Sequence, residues 1–440
     1  MHIEHLGGEN CVTGSCHWVR AGGMNILVDC GLVQGNDRAV PMAEWPLRPE
    51  DVGFLFLTHA HVDHVGRVPD LVRAGFKGEI LTTHATKAIL GPMLEDALGF
   101  TDMDDKERGR IMSRIHEMSW GFEYGTTFDL RPGVRFRLGR AGHILGSCWV
   151  RLEQGPPGNG AGSVVFSGDL GPPDTPLLPD PDVPGPCELL VMESTYGDRV
   201  HEGRKGRIRR LGEVLTRALE DRGRVYIPAF SLGRTQELLF EMDRLFSERE
   251  WIEAFPALHA HGRIPVFLDS PLGLEITRVY SNLSTYWDQE ACGLLAKGDH
   301  PLHFEHLYSV RSYRDHQRVL GVEGPAIVMA GSGMCTGGRI VNHLKEGLGD
   351  ERNDILFVGY QAQGTPGRDI VRYGRRPGGY VILDGVRFDI RAKVYTMAGY
   401  SAHADREDLI RWAGKVEPGR IKLVHGEPDA RAGLEAALRT

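Results

Sequence analysis

Several features that would assign a chain of this kind to a secreted or membrane class are missing. The seven cysteines are scattered, and none belongs to a C-x-x-C pair. This pattern disfavours a disulfide framework and a structural thiolate zinc site, and it suits reduced thiols in a cytoplasm. No apolar run approaches the roughly twenty residues of a membrane helix, and the start, MHIEHLGG, has neither the basic nor the apolar region of a signal peptide. We therefore expect a cytoplasmic protein with no membrane partner.

Length and charge set further limits. With 440 residues the chain is too long for one average domain, so two domains, or one domain with a large insertion, are expected. The net charge of −8 argues against a protein that coats nucleic acid non-specifically, but it allows an enzyme that grips phosphates in one local groove. The nineteen histidines are more informative, because imidazole is a preferred ligand of transition metals.

The hydrophobic pattern changes twice along the chain. Up to about residue 197, short apolar strands such as FLFL end in histidine or aspartate, which predicts a sheet whose loop edge builds one site. From about residue 198 to 386, strands alternate with amphipathic helices, the signature of a parallel α/β layer. The remaining residues, 387–440, return to strands that end in histidine. We predict an α/β domain, residues 198–386, inserted into a first fold that residues 387–440 complete.

One short stretch, LTHAHVDHVGRVP, carries the strongest chemical signal. His59 and His61 are two apart and can face one ion, while Asp63 and His64 follow in a turn and can reach a second. The alternative is that these histidines merely end a strand, but three histidines and an aspartate at this spacing are typical of a metal site. Zinc takes about four ligands, so the loop alone cannot complete a site.

The missing ligands are expected at other strand ends. His143 in AGHILGS and Asp169 in FSGDLG are the best candidates, and His425 in LVHGE comes after them. Each of these residues, taken singly, could instead be an ordinary loop or N-cap residue. A carboxylate such as Asp169 can bridge two ions, which a neutral imidazole cannot.

Taken together, these motifs resemble the metallo-β-lactamase fold superfamily, and the insertion resembles its β-CASP branch of nucleases. The resemblance covers the whole chain and includes bacterial and archaeal RNA-processing relatives of the cleavage-and-polyadenylation nuclease subunit. It implies an α/β protein built as an αββα sandwich with an inserted parallel α/β domain. Its motifs are Asp29, the residues 59–64, His143, Asp169, Glu193 in VMESTYG, His403 in GYSAHAD, His425, and the inserted-domain stretches PAFSLGRTQELL and GSGMCTGGRI.

The resemblance also implies roles for these residues, in a site with two Zn²⁺ ions. The implied ligands are His59, His61 and His143 for the first ion, Asp63, His64 and His425 for the second, and Asp169 as the bridge. Asp29 is expected to orient a ligand. A histidine at position 425 is typical of the RNA-processing members, whereas DNA-repair members tend to have an apolar residue there.

Expulsion of a ribose oxygen from a phosphodiester needs a general acid, and His403 is our candidate. Glu193 is expected to fix its tautomer and raise its pKa, and Asp63 is counted with both as catalytic. The alternative for SAHAD is a loop histidine before a helix that Asp405 caps.

Two glycine- or serine-rich stretches of the insertion suggest phosphate binding. In GSGMCTGG, Ser332 and Gly333 follow a strand and precede a helix, so that backbone N–H groups and a hydroxyl can contact an anion. In PAFSLGRTQE, the hydroxyl of Ser231 and the guanidinium of Arg234 can also contact a phosphate. The alternatives are a tight structural turn for the first stretch and a core-facing salt bridge for Arg234.

The function that fits best is a zinc-dependent ribonuclease acting on single-stranded RNA through water activated by two metal ions. Two alternatives remain, a thioester or lactone hydrolase and a non-enzymatic RNA-binding subunit. The second alternative is disfavoured because every ligand position is filled. The chain ends fifteen residues after His425 and begins close to its first strand. This minimal architecture favours endonuclease over 5′-to-3′ exonuclease action. The oligomeric state stays open, including a homodimer.

Overall fold

The computed structural model describes residues 1–439 apart from 36, 100, 156–161, 202–205, 261–263 and 398. The chain divides into two compact units, the first formed by Met1–Val200 with His403–Thr440 and the second by His201–Ala402. The second unit begins close to the expected residue 198. It ends later than the expected residue 386, because the strand Lys393–Thr396 pairs with the sheet of the second unit. The division into compact units thus places residues 387–402 with the second unit, whereas the prediction placed them with the first fold.

The first unit contains two six-stranded sheets. One sheet consists, in spatial order, of β1 (His2–Gly7), β2 (Cys16–Ala21), β3 (Met24–Val28), β4 (Val52–Phe56), β5 (Glu79–Thr83) and β6 (Ser119–Phe122). The other consists of β20 (Pro418–Leu423), β11 (Cys187–Met192), β10 (Ser163–Phe166), β9 (Cys148–Gln154), β8 (Val134–Arg140) and β7 (Thr127–Arg131). The strands β3 to β6 are parallel, and so are β10, β11 and β20, so their carboxyl ends reach common sheet edges.

Helices cover the outer face of each sheet. The helices of this unit are α1 (Val62–Val65), α2 (Val68–Arg73), α3 (His84–Leu98), α4 (Asp105–Met118), α14 (Arg406–Val416) and α15 (Pro428–Leu438). Phe56 and Phe136 meet edge to face between the sheets, with ring centroids 5.1 Å apart. Leu55 points to the opposite side, into the core under α2, α3 and α4, and Trp149 shares a core with Leu409 of α14. The αββα sandwich is confirmed.

The second unit is built on a parallel sheet. Its strands, in spatial order, are β14 (Leu307–Ser309), β13 (Val266–Leu268), β15 (Ala326–Ala330), β12 (Arg224–Pro228), β16 (Asp354–Phe357) and β19 (Lys393–Thr396). Its helices are α5 (Arg207–Leu219), α6 (Arg234–Ser247), α7 (Arg249–Ala254), α8 (Pro256–Ala260), α9 (Pro271–Asn282), α10 (Gln289–Ala296), α11 (Tyr313–Leu320), α12 (Arg339–Gly347) and α13 (Pro366–Tyr373). A separate hairpin comprises β17 (Tyr380–Leu383) and β18 (Val386–Asp389). This unit confirms the expected inserted parallel α/β domain.

None of the helices in the described part of the chain combines the length and the apolar composition that crossing a membrane requires.

The first residue of β16 is a buried carboxylate. Asp354 is fully buried, and neither of its oxygens accepts a well-formed hydrogen bond from a described residue. Burial raises its pKa from 3.8 to about 7. Since the folded protein holds this proton more tightly than the unfolded chain does, the contribution of Asp354 to stability is greatest below pH 3.8 and is lost as the pH rises through about 7.

We therefore expect Asp354→Asn to gain stability relative to the natural chain as the pH rises. Between pH 5 and pH 8 the difference in the free energy of unfolding should shift towards the variant by about 1–3 kcal/mol, because the natural chain loses up to about 1.4 kcal/mol for each pH unit between 5 and the raised pKa of about 7. Urea denaturation at both pH values measures it. Glu351→Gln, an exposed carboxylate-to-amide change, should show no such shift. A difference that does not vary with pH would contradict the raised pKa.

Candidate metal centre

The predicted ligands of the first unit lie just beyond the carboxyl ends of β4, β10 and β20 and in the loop after β8. His59 follows β4, and the short helix α1 carries Asp63 and His64. This segment is held by neighbouring backbone, since the N–H of Ser15 donates to the Asp63 carbonyl at 2.9 Å. Gly31 allows the close approach, because a Cβ there would lie 1.6 Å from that carbonyl oxygen.

The first group of side chains is spaced as ligands of one ion would be. Nδ1 of His61 lies 3.1 Å from Nε2 of His59 and 3.1 Å from Nε2 of His143. Oδ2 of Asp169 lies 3.5 Å from Nε2 of His59 and 3.7 Å from Nε2 of His143. Ligand atoms about 2.0–2.1 Å from a tetrahedral zinc stand roughly 3.3 Å apart, so these four groups can converge on one ion.

The second group has similar spacing. Nε2 of His64 lies 3.2 Å from Nε2 of His425, and Oδ2 of Asp63 lies 3.5 Å from Nε2 of His425. The three residues form a second possible ligand set. His425 adopts a left-handed backbone conformation with φ 50°, as does Asp29 with φ 60°. Such strain in non-glycine residues is common at functional sites.

Asp169 faces both groups. Its Oδ2 points to His59 and His143, whereas its Oδ1 lies 3.3 Å from Nε2 of His64 and 3.6 Å from Nδ1 of His425. Oδ1 is buried and accepts no well-formed hydrogen bond from a described residue. A buried carboxylate oxygen without a hydrogen bond is costly, and a bridging position between two cations would satisfy it. The residues present therefore fit a metal pair.

The protonation states of His59, His61 and Asp169 agree with that arrangement. Burial lowers the pKa of His59 and of His61, which keeps both imidazoles neutral and able to bind a cation. Burial alone would raise the pKa of Asp169, but neighbouring imidazoles, His425 first, hold it well below its usual value. His59 and His61 are thus neutral imidazoles of the kind that zinc prefers. In the second group, burial opposes protonation of His64, but the carboxylates of Asp169, Asp29 and Asp63 outweigh it and raise the pKa of that ring well above its usual value.

Asp29 orients one of the histidines. Its Oδ2 accepts a hydrogen bond from Nδ1 of His64 at 2.7 Å, which turns Nε2 of that ring towards Asp169. Thr58 holds the carboxylate in turn, since its N–H and its hydroxyl each donate to Asp29 at 2.8 Å. Thr58 was not among the predicted site residues, although it lies within the LTHAHVDH stretch.

His403 and Glu193 lie beside the first group. Nδ1 of His403 is 3.0 Å from Oε2 of Glu193, and it is 4.0 Å from Oδ2 of Asp169. Burial opposes the protonated ring, but the Glu193 carboxylate outweighs it and raises the pKa of His403 to about 9. The hydroxyl of Thr195, a second residue that the sequence analysis missed, donates to Glu193 at 2.6 Å. The carboxylate of Asp405 accepts a hydrogen bond from the N–H of Asp408 at 3.0 Å and so caps α14. The SAHAD loop therefore also has the structural role that was the alternative to catalysis.

The candidate phosphate-binding residues lie in the second unit. Ser231 follows β12 and Ser332 follows the adjacent strand β15. The hydroxyl of Ser332 accepts from the N–H of Thr336 at 3.0 Å, and Gly333 packs on the ring of Phe230, where a Cβ would lie 2.7 Å from the ring.

Arg234 is buried and forms a salt bridge with Glu237. Of the two alternatives left open for this residue, the structure thus contains the salt bridge.

A second buried histidine cluster lies in the inserted unit. Oδ2 of Asp269 lies 2.6 Å from Nδ1 of His316 and 2.6 Å from Nε2 of His343, and its Oδ1 accepts from Arg339 at 2.7 Å. These are hydrogen-bond distances, shorter than the separation of two ligands on one zinc ion, and the guanidinium already neutralises the carboxylate. The cluster therefore links β13, α11 and α12 as a structural network.

Three family models match the chain. The metallo-beta-lactamase superfamily matches residues 10–229, the Beta-Casp domain residues 235–370, and the Zn-dependent metallo-hydrolase RNA specificity domain residues 387–440. Ribonuclease TTHA0252 of Thermus thermophilus is 36% identical over 445 residues, which span 100% of this chain and 96% of the relative. The chain belongs to the β-CASP ribonuclease family. This family membership confirms the expectation of a metal-dependent hydrolase.

Two further β-CASP relatives are less similar to this chain than the Thermus ribonuclease is. The transcription termination factor FttA of Methanocaldococcus jannaschii is 32% identical, over 97% of this chain and 67% of the relative. The cleavage and polyadenylation specificity factor 73 of Drosophila melanogaster is 28% identical, over 100% of this chain and 62% of the relative. A crystal structure of a protein of unknown function from Enterococcus faecalis is 13% identical with a TM-score of 0.52, and it covers 96% of this chain and 93% of its own. That last likeness concerns the fold alone.

Proposed function

We propose that this β-CASP protein is a zinc-dependent ribonuclease that hydrolyses phosphodiester bonds of single-stranded RNA. The observation that carries the proposal is the position of Asp169, whose two oxygens face two separate ligand groups, with the His403–Glu193 pair beside it. The relatives named a ribonuclease and a cleavage and polyadenylation factor support RNA as the substrate, as does the match to an RNA specificity domain.

Each ligand group would hold one ion. His59, His61 and His143 would hold the first, and Asp169 would contribute to both. The second would be held by Asp63, His64 and His425. Two bound Zn²⁺ ions would supply an activated water at neutral pH and neutralise phosphate charge. Asp29 and Thr58 would keep His64 in the required tautomer.

His403 would protonate the leaving ribose oxygen, which is a poor leaving group without a proton. Glu193 accepts from Nδ1 of the ring, so Nε2 would be the atom that delivers the proton. The Glu193 carboxylate beside the ring raises its pKa to about 9, which favours the protonated form at neutral pH. Cleavage would leave 3′-hydroxyl and 5′-phosphate ends. We also propose that Asp63 assists catalysis through the second ion.

Substrate phosphates would be held in the inserted unit by Ser332, Gly333 and Ser231, which follow two adjacent strands of its sheet. Arg234 would contribute only if its guanidinium spares a donor from Glu237. We propose endonucleolytic action in a cytoplasmic setting, and 5′-to-3′ exonuclease action is the alternative. A homodimer stays a prediction.

Cleavage of an end-labelled single strand tests the proposal. A 5′-labelled 20-nucleotide RNA, its DNA equivalent and a thioester are each incubated with the protein, with and without chelator. We expect chelator-sensitive cleavage of RNA at internal positions, and slower or no cleavage of DNA. Release of labelled mononucleotides alone would support the exonuclease alternative. Thioester hydrolysis without any RNA cleavage would refute the proposal.

A further inference from the structure

The segment from residue 366 to 393 carries an unusual local charge. It contains seven arginines and lysines against three aspartates, in a chain whose 59 acidic residues outnumber its 51 basic ones. The segment forms α13, the turn after it and the β17–β18 hairpin, all within the inserted unit. We call its six arginines the arginine surface: Arg368, Arg372, Arg375, Arg376, Arg387 and Arg391.

These charges are exposed and largely unneutralised. All six arginines are exposed. Among the described residues, Arg387 pairs with Asp389 at 3.1 Å, and the other five form no ion pair. Surface arginines elsewhere in this unit are commonly paired, as Arg249 is with Glu253 at 2.7 Å. An unpaired cluster of this size creates a positive potential that attracts polyanions.

Aromatic rings are interleaved with the arginines. The guanidinium of Arg387 lies over the ring of Tyr380, 4.0 Å from its centroid. Tyr373 has two guanidinium groups near its ring, those of Arg372 at 5.4 Å and Arg376 at 5.7 Å. Tyr380 is 45% exposed. Flat guanidinium and phenol groups of this kind offer stacking surfaces for unpaired bases.

The hairpin adds exposed apolar side chains. Ile382 is 48% exposed and Val386 is 56% exposed, close to Tyr380 on the same two-stranded ribbon. The cross-strand pair Ile382–Arg387 places an apolar side chain beside a basic one, and Asp389 stands opposite Tyr380. The apolar side chains of the hairpin, together with the unpaired arginines of α13 and of the turn after it, suit a ligand with bases and phosphates.

We propose that the arginine surface, with Tyr380 and Tyr373, binds nucleotides of the single-stranded RNA substrate. This inference rests on the proposed ribonuclease function and adds a second contact region to it, remote from the metal ligands in sequence. The arginines bind phosphates independently of sequence, while the tyrosines stack on bases that a duplex would keep paired. The surface should therefore favour long single strands over short ones and over duplexes.

Binding can be measured by fluorescence anisotropy on the zinc-loaded full chain at 4 °C, with 5′-fluorescein RNA of 20 and of 5 nucleotides checked intact by gel. Arg372→Ala/Arg376→Ala should weaken binding of the 20-mer by about tenfold or more and lower the slope of log K against log salt by about 1.4. The 5-mer should be little affected. The matched control, Arg249→Ala/Arg278→Ala, removes two exposed arginines that are paired with glutamates, and it should bind as the natural chain does.

Tyr380→Ala distinguishes stacking from general attraction of polyanions. It should weaken binding of the single strand several-fold and leave binding of a 20-base-pair duplex unchanged, whereas Tyr313→Ala, at a more exposed tyrosine of α11, should change neither. Equal weakening of single strand and duplex, or none, would overturn the stacking role. Unchanged binding of the 20-mer by the double arginine variant would overturn the whole inference.

Cleavage of the same RNA is followed in parallel. Arginine-dependent binding without cleavage would refute the proposed function and leave this surface standing. Cleavage together with binding that does not depend on the arginines would refute the arginine surface and leave the proposed function standing.

Discussion

His403→Ala is expected to slow cleavage of single-stranded RNA by about 10²–10⁴-fold, the range that a lost general acid typically costs. The ring lies 3.0 Å from Glu193 and next to Asp169, but it belongs to neither ligand group in our assignment. The variant should therefore keep the metal content of the natural chain. Single-turnover cleavage rates and metal analysis of the same preparations measure both quantities.

The pH dependence gives a second readout for this residue. A general acid must be protonated, so the rate of the natural chain should fall as the pH rises through the pKa of His403, about 9 in the absence of bound cations. Nearby cations would move this fall to lower pH. In His403→Ala that alkaline fall should disappear. A suitable control is His84→Ala, since His84 also lies near a glutamate, 3.6 Å from Glu123, but is exposed. Full activity of His403→Ala would remove His403 as the acid.

Asp169→Asn is expected to lose both metal content and activity. An amide offers one neutral acceptor oxygen, so it cannot supply the two charged oxygens that face the two groups. Loss of residues that only orient a ligand typically weakens metal binding by 10–100-fold, so loss of this direct bridge should cost more than about 100-fold. Metal retained after dialysis against a weak chelator, together with the RNA cleavage rate, checks the expectation.

The control for this change is Asp102→Asn, at an exposed aspartate of the same unit. It should retain metal and activity. If Asp169→Asn kept two ions per chain and cleaved RNA at the natural rate, Asp169 would not be the bridge.

Local motifs in the sequence are sufficient to predict the candidate metal centre. Residues 59–64 are adjacent in sequence, and the other candidate ligands each follow an apolar strand, so a common sheet edge could be inferred. Networks of distant residues could not be inferred in this way. Asp269 contacts His343 from 74 positions away, and neither lies in a motif with metal spacing.

Strand pairing was the other limit. The pattern around Val394 predicts a short strand but not its neighbour, and β19 joined the inserted sheet beside β16 rather than the first fold. Likewise, an arginine in the first turn of a helix can point to a ligand or into the core. For Arg234 a carboxylate three residues later, Glu237, lies within reach and forms the salt bridge.

Titration of the metal-free chain with zinc, with RNA cleavage followed at each step, tests the central claim most directly. If two ligand groups bridged by Asp169 hold two cooperating ions, cleavage should stay low through the first equivalent of zinc and reach its maximum near two equivalents per chain. Full cleavage at one equivalent, with no further gain at two, would contradict the two-ion site.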